Sequence, residues 1–132
     1  MPNFITIKKK IKRFDKKIEI SGDKSISIRW VLISSIATGV SRAKNLLMSD
    51  DVLAAINAVR KFGIKVKKRK NIFEIMGKGI DGYKYKKNIS INAQNSGTLG
   101  RLLLGLIINS PYPIKLIGDK SLSKRDFKRV AD

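Results

Sequence analysis

The chain contains no cysteine and no histidine. The first absence excludes disulfides, thiolate metal sites and cysteine nucleophiles. The second excludes imidazole ligands and any histidine-dependent triad within the chain. Acidic residues are scarce, 10 against 29 lysines and arginines, which leaves a net charge of +19. Long apolar runs are missing too. The longest, near Leu102–Ile108, is too short to span a membrane, and the N-terminus lacks the apolar core of a signal peptide. These absences lead to the expectation of a soluble cytoplasmic protein without a metal or other cofactor.

What is present suits a single domain. A chain of 132 residues with a globular apolar content can bury a moderate core. Lysine supplies most of the charge and is spread along the chain; only Lys8–Lys10 and Lys65–Lys70 form blocks. A nucleic-acid binder concentrates its charge on one face, often with aromatics between. The scatter therefore points to anionic ligands more than to nucleic acid.

One stretch organises the reading: Ser21-Gly22-Asp23-Lys24-Ser25-Ile26-Ser27-Ile28-Arg29-Trp30. Before it, Lys17–Ile20 alternates charged and apolar residues, as a strand does. After it, Trp30, Val31, Ile33, Ile36 and Ala37 recur at helical spacing. A strand-to-helix turn with a glycine, two hydroxyls and two cations can hold an anion on the unpaired N–H groups of the helix start. The same residues also suit an ordinary N-cap by Asp23 or Ser25, with solvated cations. The residues alone leave both readings open.

In chain order, Phe4–Ile20 reads as one or two strands, followed by a helix to about Ala37 and a short strand over Ser41–Leu47. Ser49-Asp50-Asp51 then caps a helix running to Phe62, which Gly63 ends. Ile64–Lys68 and Asn71–Met76 read as a strand pair, Ile89–Ile91 as a strand, and Leu102–Ile108 as a helix broken by Pro111 and Pro113. Ile114–Ile117 reads as a strand, and a last helix starts at Ser121–Ser123 and is still running at Asp132. That final helix has no stop signal, so the sequence looks cut off there. Gly77-Lys78-Gly79-Ile80-Asp81-Gly82 fits a dinucleotide pattern, but no helix follows and position 102 is Leu102. A glycine-rich loop is the reading that fits.

Arg29 and Arg101 each stand in the first turns of a helix, 72 residues apart. At that offset the later strand and helix also coincide, giving one complete unit and about half of a second. Alternating strands and helices imply an α/β architecture with parallel pairings.

Four segments then resemble one family, the enolpyruvate transferases of the 3-phosphoshikimate 1-carboxyvinyltransferase type. They are Gly22-Asp23-Lys24-Ser25-Ile26-Ser27-x-Arg29, Asn45-Leu46-Leu47-x-Ser49-Asp50-Asp51-Val52, Asn95-Ser96-Gly97-Thr98-x-x-Arg101 and Gly118-Asp119-x-Ser121-Leu122-x-Lys124-Arg125. The likeness covers about Ile18 to Asp132, roughly the first third of the usual family length. It implies repeated βαβαββ units forming an inside-out α/β barrel in each of two domains, with the active site between them. Residues 1–21 would be strands of the other domain, and 22–132 an incomplete first domain. It also implies transfer of the enolpyruvyl group of phosphoenolpyruvate to the 5-hydroxyl of shikimate 3-phosphate, without a metal, by a protein monomeric at full length.

The resemblance places Lys24, Ser25 and Arg29 on shikimate 3-phosphate. Lys24 also touches phosphoenolpyruvate, together with Asn95, Gly97, Thr98 and Arg125. Lys24 is the one catalytic residue carried here; the general acid–base carboxylates are expected beyond Asp132. An alanine methyl at Gly97 is expected to project toward the ligand. Two departures stand out. Ile28 replaces a frequent histidine or asparagine, and Ser21 a frequent proline. Arg101 reads as structural, paired with a nearby acid or carbonyl, and Asp50 and Asp51 as caps. Two alternatives are kept: the sister enzyme acting on UDP-N-acetylglucosamine, which typically has Lys-Asn in place of Lys24-Ser25, and a basic nucleic-acid-binding module built on the two lysine blocks.

Overall fold

The computed structural model describes residues 5–10, 13 and 15–131. Its elements in order are α1 (Lys24–Ile36), β1 (Thr38–Lys44), α2 (Asp50–Lys61), β2 (Lys65–Arg69), β3 (Ile72–Lys78), β4 (Ser90–Asn92), α3 (Gly97–Leu106), β5 (Lys115–Ile117) and α4 (Lys128–Ala131), with a 3₁₀ turn over Leu122–Lys124. Helices and strands alternate as expected of an α/β chain that repeats a unit incompletely.

Pairing is more antiparallel than the sequence suggests. The larger sheet has the order β1-β3-β2, and both of its ladders are antiparallel. The reason is local. Arg69 pairs with Ile72, so only Lys70 and Asn71 connect β2 to β3, and Lys70 takes a φ of 54° to make that turn. Among the described residues the expected parallel pairing occurs only between β4 and β5, which α3 connects.

α1 and α2 pack together, and α1 lies against β3 and α3. Valine, isoleucine and alanine at helical spacing give α2 its buried face, and Val52, Ala55, Ile56 and Val59 share one buried core with Phe73 and Ile75 of β3. α1 buries a face that its apolar spacing does not single out. Ile28, Val31, Leu32 and Ser35 are inside, whereas Ile33 is 62% exposed and Trp30 half-buried. The apolar residues of α1 fall on all sides, so periodicity does not fix its orientation, and Ser27 and Ser35 are tolerated inside because their hydroxyls find partners. Ser27 Oγ donates to the Asp23 carbonyl at 2.7 Å. Ser35 Oγ donates to Leu32 O, which leaves the Tyr83 hydroxyl to donate to Ser35 Oγ at 2.6 Å. Ile28, in the place of the frequent polar residue, is a fully buried core side chain.

Two further expectations change. No strand forms among the described residues before α1; Ile5, Ile7, Ile18 and Ile20 are 93, 87, 71 and 76% exposed, and Phe4 lies outside the described residues. At the repeat offset Ile18–Ile20 corresponds to β4, but a strand needs a neighbour, and β4 has β5 while this segment has no ladder partner. The last helix is also divided. Arg125 adopts an extended conformation (ψ 138°) after the 3₁₀ turn, and helix resumes only at Lys128, so Arg125 lies in the break. Asp132 lies outside the described residues.

The glycine-rich stretch is no ligand loop. β3 runs through Gly77, and no helix follows. A Cβ on Gly77 would come within 2.2 Å of the Ala37 carbonyl oxygen and 2.3 Å of that of Ser34. Both are backbone atoms at the end of α1 and cannot swing aside. Gly77→Ala should therefore destabilise the chain by about 2 kcal/mol or more. An unchanged urea midpoint would show that this crossing can relax.

Candidate functional site

Two helix starts carry the residues singled out in the sequence. At α1 the cap is Asp23, whose Oδ1 accepts from Ile26 N at 2.7 Å. The preceding Gly22 lies against the β1–α2 connection, where a Cβ would fall 2.0 Å from the Asn45 carbonyl oxygen. Asn45 Nδ2 donates to Ile20 O at 3.2 Å, and Leu47 N donates to Ser27 Oγ at 3.1 Å. These contacts bring the start of α2 beside that of α1. Lys24 Nζ is consequently 2.9 Å from Asp51 Oδ2, with Lys24 half exposed and Asp51 largely covered. Ser25 is half-buried and Arg29 exposed. The ordinary-cap reading of this stretch thus describes Asp23, while Lys24 is ion-paired. Asp51 proves to be the partner of Lys24 and not a cap, since the N-cap position of α2 is Ser49, whose side chain makes no capping bond.

At α3 the cap is Ser96, whose Oγ accepts from Leu99 N at 3.2 Å. Gly97 and Thr98 form the first turn, where N–H groups lack intrahelical partners. Two guanidinium groups converge on Gly97. A Cβ there would lie 2.8 Å from Arg125 Nη1 and 3.3 Å from Arg101 Nη1. An alanine methyl at 97 therefore meets Arg125 directly, a contact that no motif spacing reveals. Arg101 Nη2 reaches the Asp126 carbonyl at 3.4 Å, and its guanidinium lies 5.6 Å from the centre of the Phe127 ring. It is held by structural contacts, as the sequence suggests.

Arg125 is held by a side-chain chain of hydrogen bonds. Its Nη2 donates to Asn95 Oδ1 at 2.7 Å, and Asn95 Nδ2 donates to Asp119 Oδ2 at 2.7 Å. Asp119 Oδ1 accepts from Leu122 N at 2.7 Å, which caps the 3₁₀ turn. The Leu122 N–H holds the Asp119 carboxyl below its ordinary range, with Asn95, Ser121 and the Arg125 charge adding to this and desolvation opposing it. The arrangement can bind a carboxylate or phosphate, because two planar cations and a helix N-terminus face one position. Asp51 and Asp119 are the residues the sequence reading left without a part in the site. For Asp119 the available signal was its place in the same motif as Arg125.

No hydrogen bond or ion pair among the described residues joins the α1 cluster to the α3 cluster. The described residues contain no group of three or more acidic side chains suited to a metal. Among the described residues, no helix is long and apolar enough to cross a membrane.

The Asp119 carboxyl gives a pH prediction. Its folded-state pKa lies below the ordinary 3.8, so its stabilising contribution is present above that value and is lost as pH falls through the lower, folded one. Stability of the wild type should drop more steeply below about pH 4 than that of Asp119→Ala, as measured by urea midpoints at stepped pH. Parallel acid limbs would show that the carboxylate is not linked to folding.

The family model described as EPSP synthase (3-phosphoshikimate 1-carboxyvinyltransferase) matches residues 8–132. A 3-phosphoshikimate 1-carboxyvinyltransferase of Sulfurihydrogenibium sp. is 40% identical over 124 residues, covering 94% of this chain and 28% of the relative. One of Bacillus cytotoxicus is 43% identical over 115 residues, covering 87% of this chain and 27% of the relative. Among solved structures, an EPSP synthase from Acinetobacter baumannii superposes with a TM-score of 0.76 at 34% identity, over 88% of this chain and 26% of that one. The chain thus spans little more than a quarter of the relatives it matches, slightly less than the third expected. With the family model covering nearly its whole length, and the motif residues lying at the two helix starts described above, the chain belongs to the EPSP synthase family.

Proposed function

We propose that this chain forms the first part of a transferase that moves the enolpyruvyl group of phosphoenolpyruvate to the 5-hydroxyl of shikimate 3-phosphate. The carbon–oxygen bond to the phosphate of phosphoenolpyruvate breaks, a new one forms to the 5-hydroxyl oxygen, and phosphate leaves with the hydroxyl proton passed to a base. The observation that carries this reading is the convergence of Arg125 and Arg101 on Gly97 at the start of α3. Both substrates are anions, and such a position suits a phosphate or carboxylate.

In this reading Lys24, Ser25 and Arg29 at α1 hold shikimate 3-phosphate. Asn95, Gly97, Thr98 and Arg125 form the phosphoenolpyruvate side, and Lys24 reaches both ligands. Lys24 is the catalytic residue of this part: its charge offsets that developing on the leaving phosphate. Its ion pair with Asp51 is exposed on the lysine side and so exchanges cheaply for a substrate anion. No metal or other cofactor takes part, the acid–base carboxylates come from sequence after Asp132, and the complete enzyme acts as a cytoplasmic monomer on small anions and not on nucleic acid.

The test uses a complete transferase whose first part is residues 1–132. Phosphate release should need both substrates, and Lys24→Met should lower it by about ten-fold to a hundred-fold, the loss of one charge-assisted contact. Residues 1–132 alone should release none. A complete enzyme that releases no phosphate from the pair overturns the reading, and a Lys24→Met variant keeping half the activity removes Lys24 from it.

The domain assignment is part of the same proposal. Residues 1–21 belong to the other domain, and the chain crosses between domains at Gly22. Support comes from the exposed isoleucines at 5, 7, 18 and 20, which carry a strand pattern without a ladder. In the isolated chain, amides of Ile5–Ile20 should exchange far faster than those of α2. Equal protection of the two segments would refute the crossing.

A further inference from the structure

The position of Arg125 depends on which way a neutral amide faces. An asparagine side chain is nearly symmetric in shape, and turning it over exchanges a donor for an acceptor. Arg125 has only donors to offer, so Asn95 can hold it only through Oδ1. Rotation of Asn95 would present Nδ2 to the guanidinium and break the contact. The group that prevents this is Asp119. As a carboxylate it only accepts, and it takes the Asn95 Nδ2 donor at 2.7 Å. Asp119 is itself anchored from several sides: Leu122 N donates to its Oδ1 at 2.7 Å, its own N–H donates to Gln94 O at 2.9 Å, and Ser123 N donates to its carbonyl at 2.9 Å.

We propose that Asp119 is a positioning residue for the phosphoenolpyruvate side of the site: it fixes the Asn95 amide, and through it holds the Arg125 guanidinium over Gly97, without touching substrate. This rests on the functional reading above. It extends that reading, because it makes affinity for one of the two substrates depend on a carboxylate whose like charge would repel that substrate if the two met. Asp119 also caps the 3₁₀ turn, so a purely structural role is the competing account, and the experiment has to separate the two.

Asp119→Asn does so. The new Oδ1 can still accept from Leu122 N, which keeps the cap. The new Nδ2 faces Asn95 Nδ2, and two donors cannot bond. Asn95 then turns over and Arg125 loses its 2.7 Å contact, keeping only the longer one from Nη2 to Ser121 Oγ at 3.5 Å. In the complete transferase, KM for phosphoenolpyruvate should rise about ten-fold, as expected for loss of a charged hydrogen bond, while KM for shikimate 3-phosphate stays within about two-fold. The reciprocal variant, Asn95→Asp with Asp119→Asn, restores every donor–acceptor pair with the charge moved one position along. Because it places a carboxylate on the proposed site wall, it is scored on the 132-residue chain by thermal melting and by the Arg125 side-chain N–H signals in NMR. Its melting temperature should exceed that of both single variants, with the Arg125 signals returning toward their wild-type positions. The proposal fails if Asp119→Asn raises both Michaelis constants together or leaves that for phosphoenolpyruvate unchanged. It fails equally if the double variant melts no higher than the weaker single one. A parent enzyme without turnover would overturn the functional reading, and the melts and NMR signals would then decide the Asp119 relay by themselves.

Discussion

α1 has to be buried on several sides at once, against α2, β3 and α3, and that requirement sets the start of most other elements. Close packing leaves no room for side chains where backbones cross. Gly77 is therefore needed where β3 passes the carbonyls at the end of α1, and Gly22 where the incoming chain passes Asn45. Ser27 and Ser35, which face inward, cost little because their hydroxyls bond a backbone oxygen one turn back and, for Ser35, a neighbouring tyrosine. Tyr83, stacked on Phe62 with ring centres 4.7 Å apart, ties the irregular segment after β3 to the same core. Its hydroxyl proton is held on, because burial raises its pKa. With α1 and α3 packed in one core, both helix starts become fixed points from which side chains can be aimed.

The two starts hold their cations differently. Lys24 meets Asp51 directly in an exposed pair, an interaction typically worth less than about 1 kcal/mol. A flexible ammonium held so weakly can leave its partner when a stronger anion arrives. Arg125 is held through an intervening neutral amide. This leaves its charge uncancelled by direct contact while still restricting its rotamers. A planar guanidinium that is oriented but not neutralised suits two-pronged capture of a phosphate or carboxylate. The lysine suits a role in which it changes partners. Under the proposed function, that contrast suits a lysine that reaches both ligands and an arginine that holds one.

How much was legible in the sequence followed from how local each interaction is. α2 and the β2–β3 hairpin came out within a residue or two because their periodicity and turn lie within a short window. The buried face of α1 was not legible, since Ile26 and Ile33 are as apolar as Ile28 but point to solvent, and only tertiary packing distinguishes them. The early strand pattern failed for the complementary reason: alternation at Ile5, Ile7, Ile18 and Ile20 shows that a strand is possible, but a ladder requires a partner. In the candidate site, the motif residues Lys24, Asn95, Gly97 and Arg125 lie at or against the two helix starts. The motifs did not reveal that Arg125 shields Gly97 or that Asp51 pairs with Lys24, because those contacts join residues about 27 apart in sequence.

The large positive charge has a structural explanation in at least one of its blocks. β2 is an edge strand of the larger sheet, and Lys65, Lys67, Lys68 and Arg69 are exposed along it. Cations on an edge discourage pairing with another strand, since two such edges repel. Lys68 also places its ammonium 5.3 Å from the centre of the Phe73 ring, covering an aromatic face next to that edge. On the outer face Arg42, Glu74 and Lys67 stand in one row across the three strands, and Arg42 Nε donates to Glu74 Oε1 at 2.8 Å. That bond, ahead of the neighbouring charges, keeps the Glu74 carboxyl below its ordinary pKa. A lysine block that guards an edge and frames a single acid is accounted for without a polyanion.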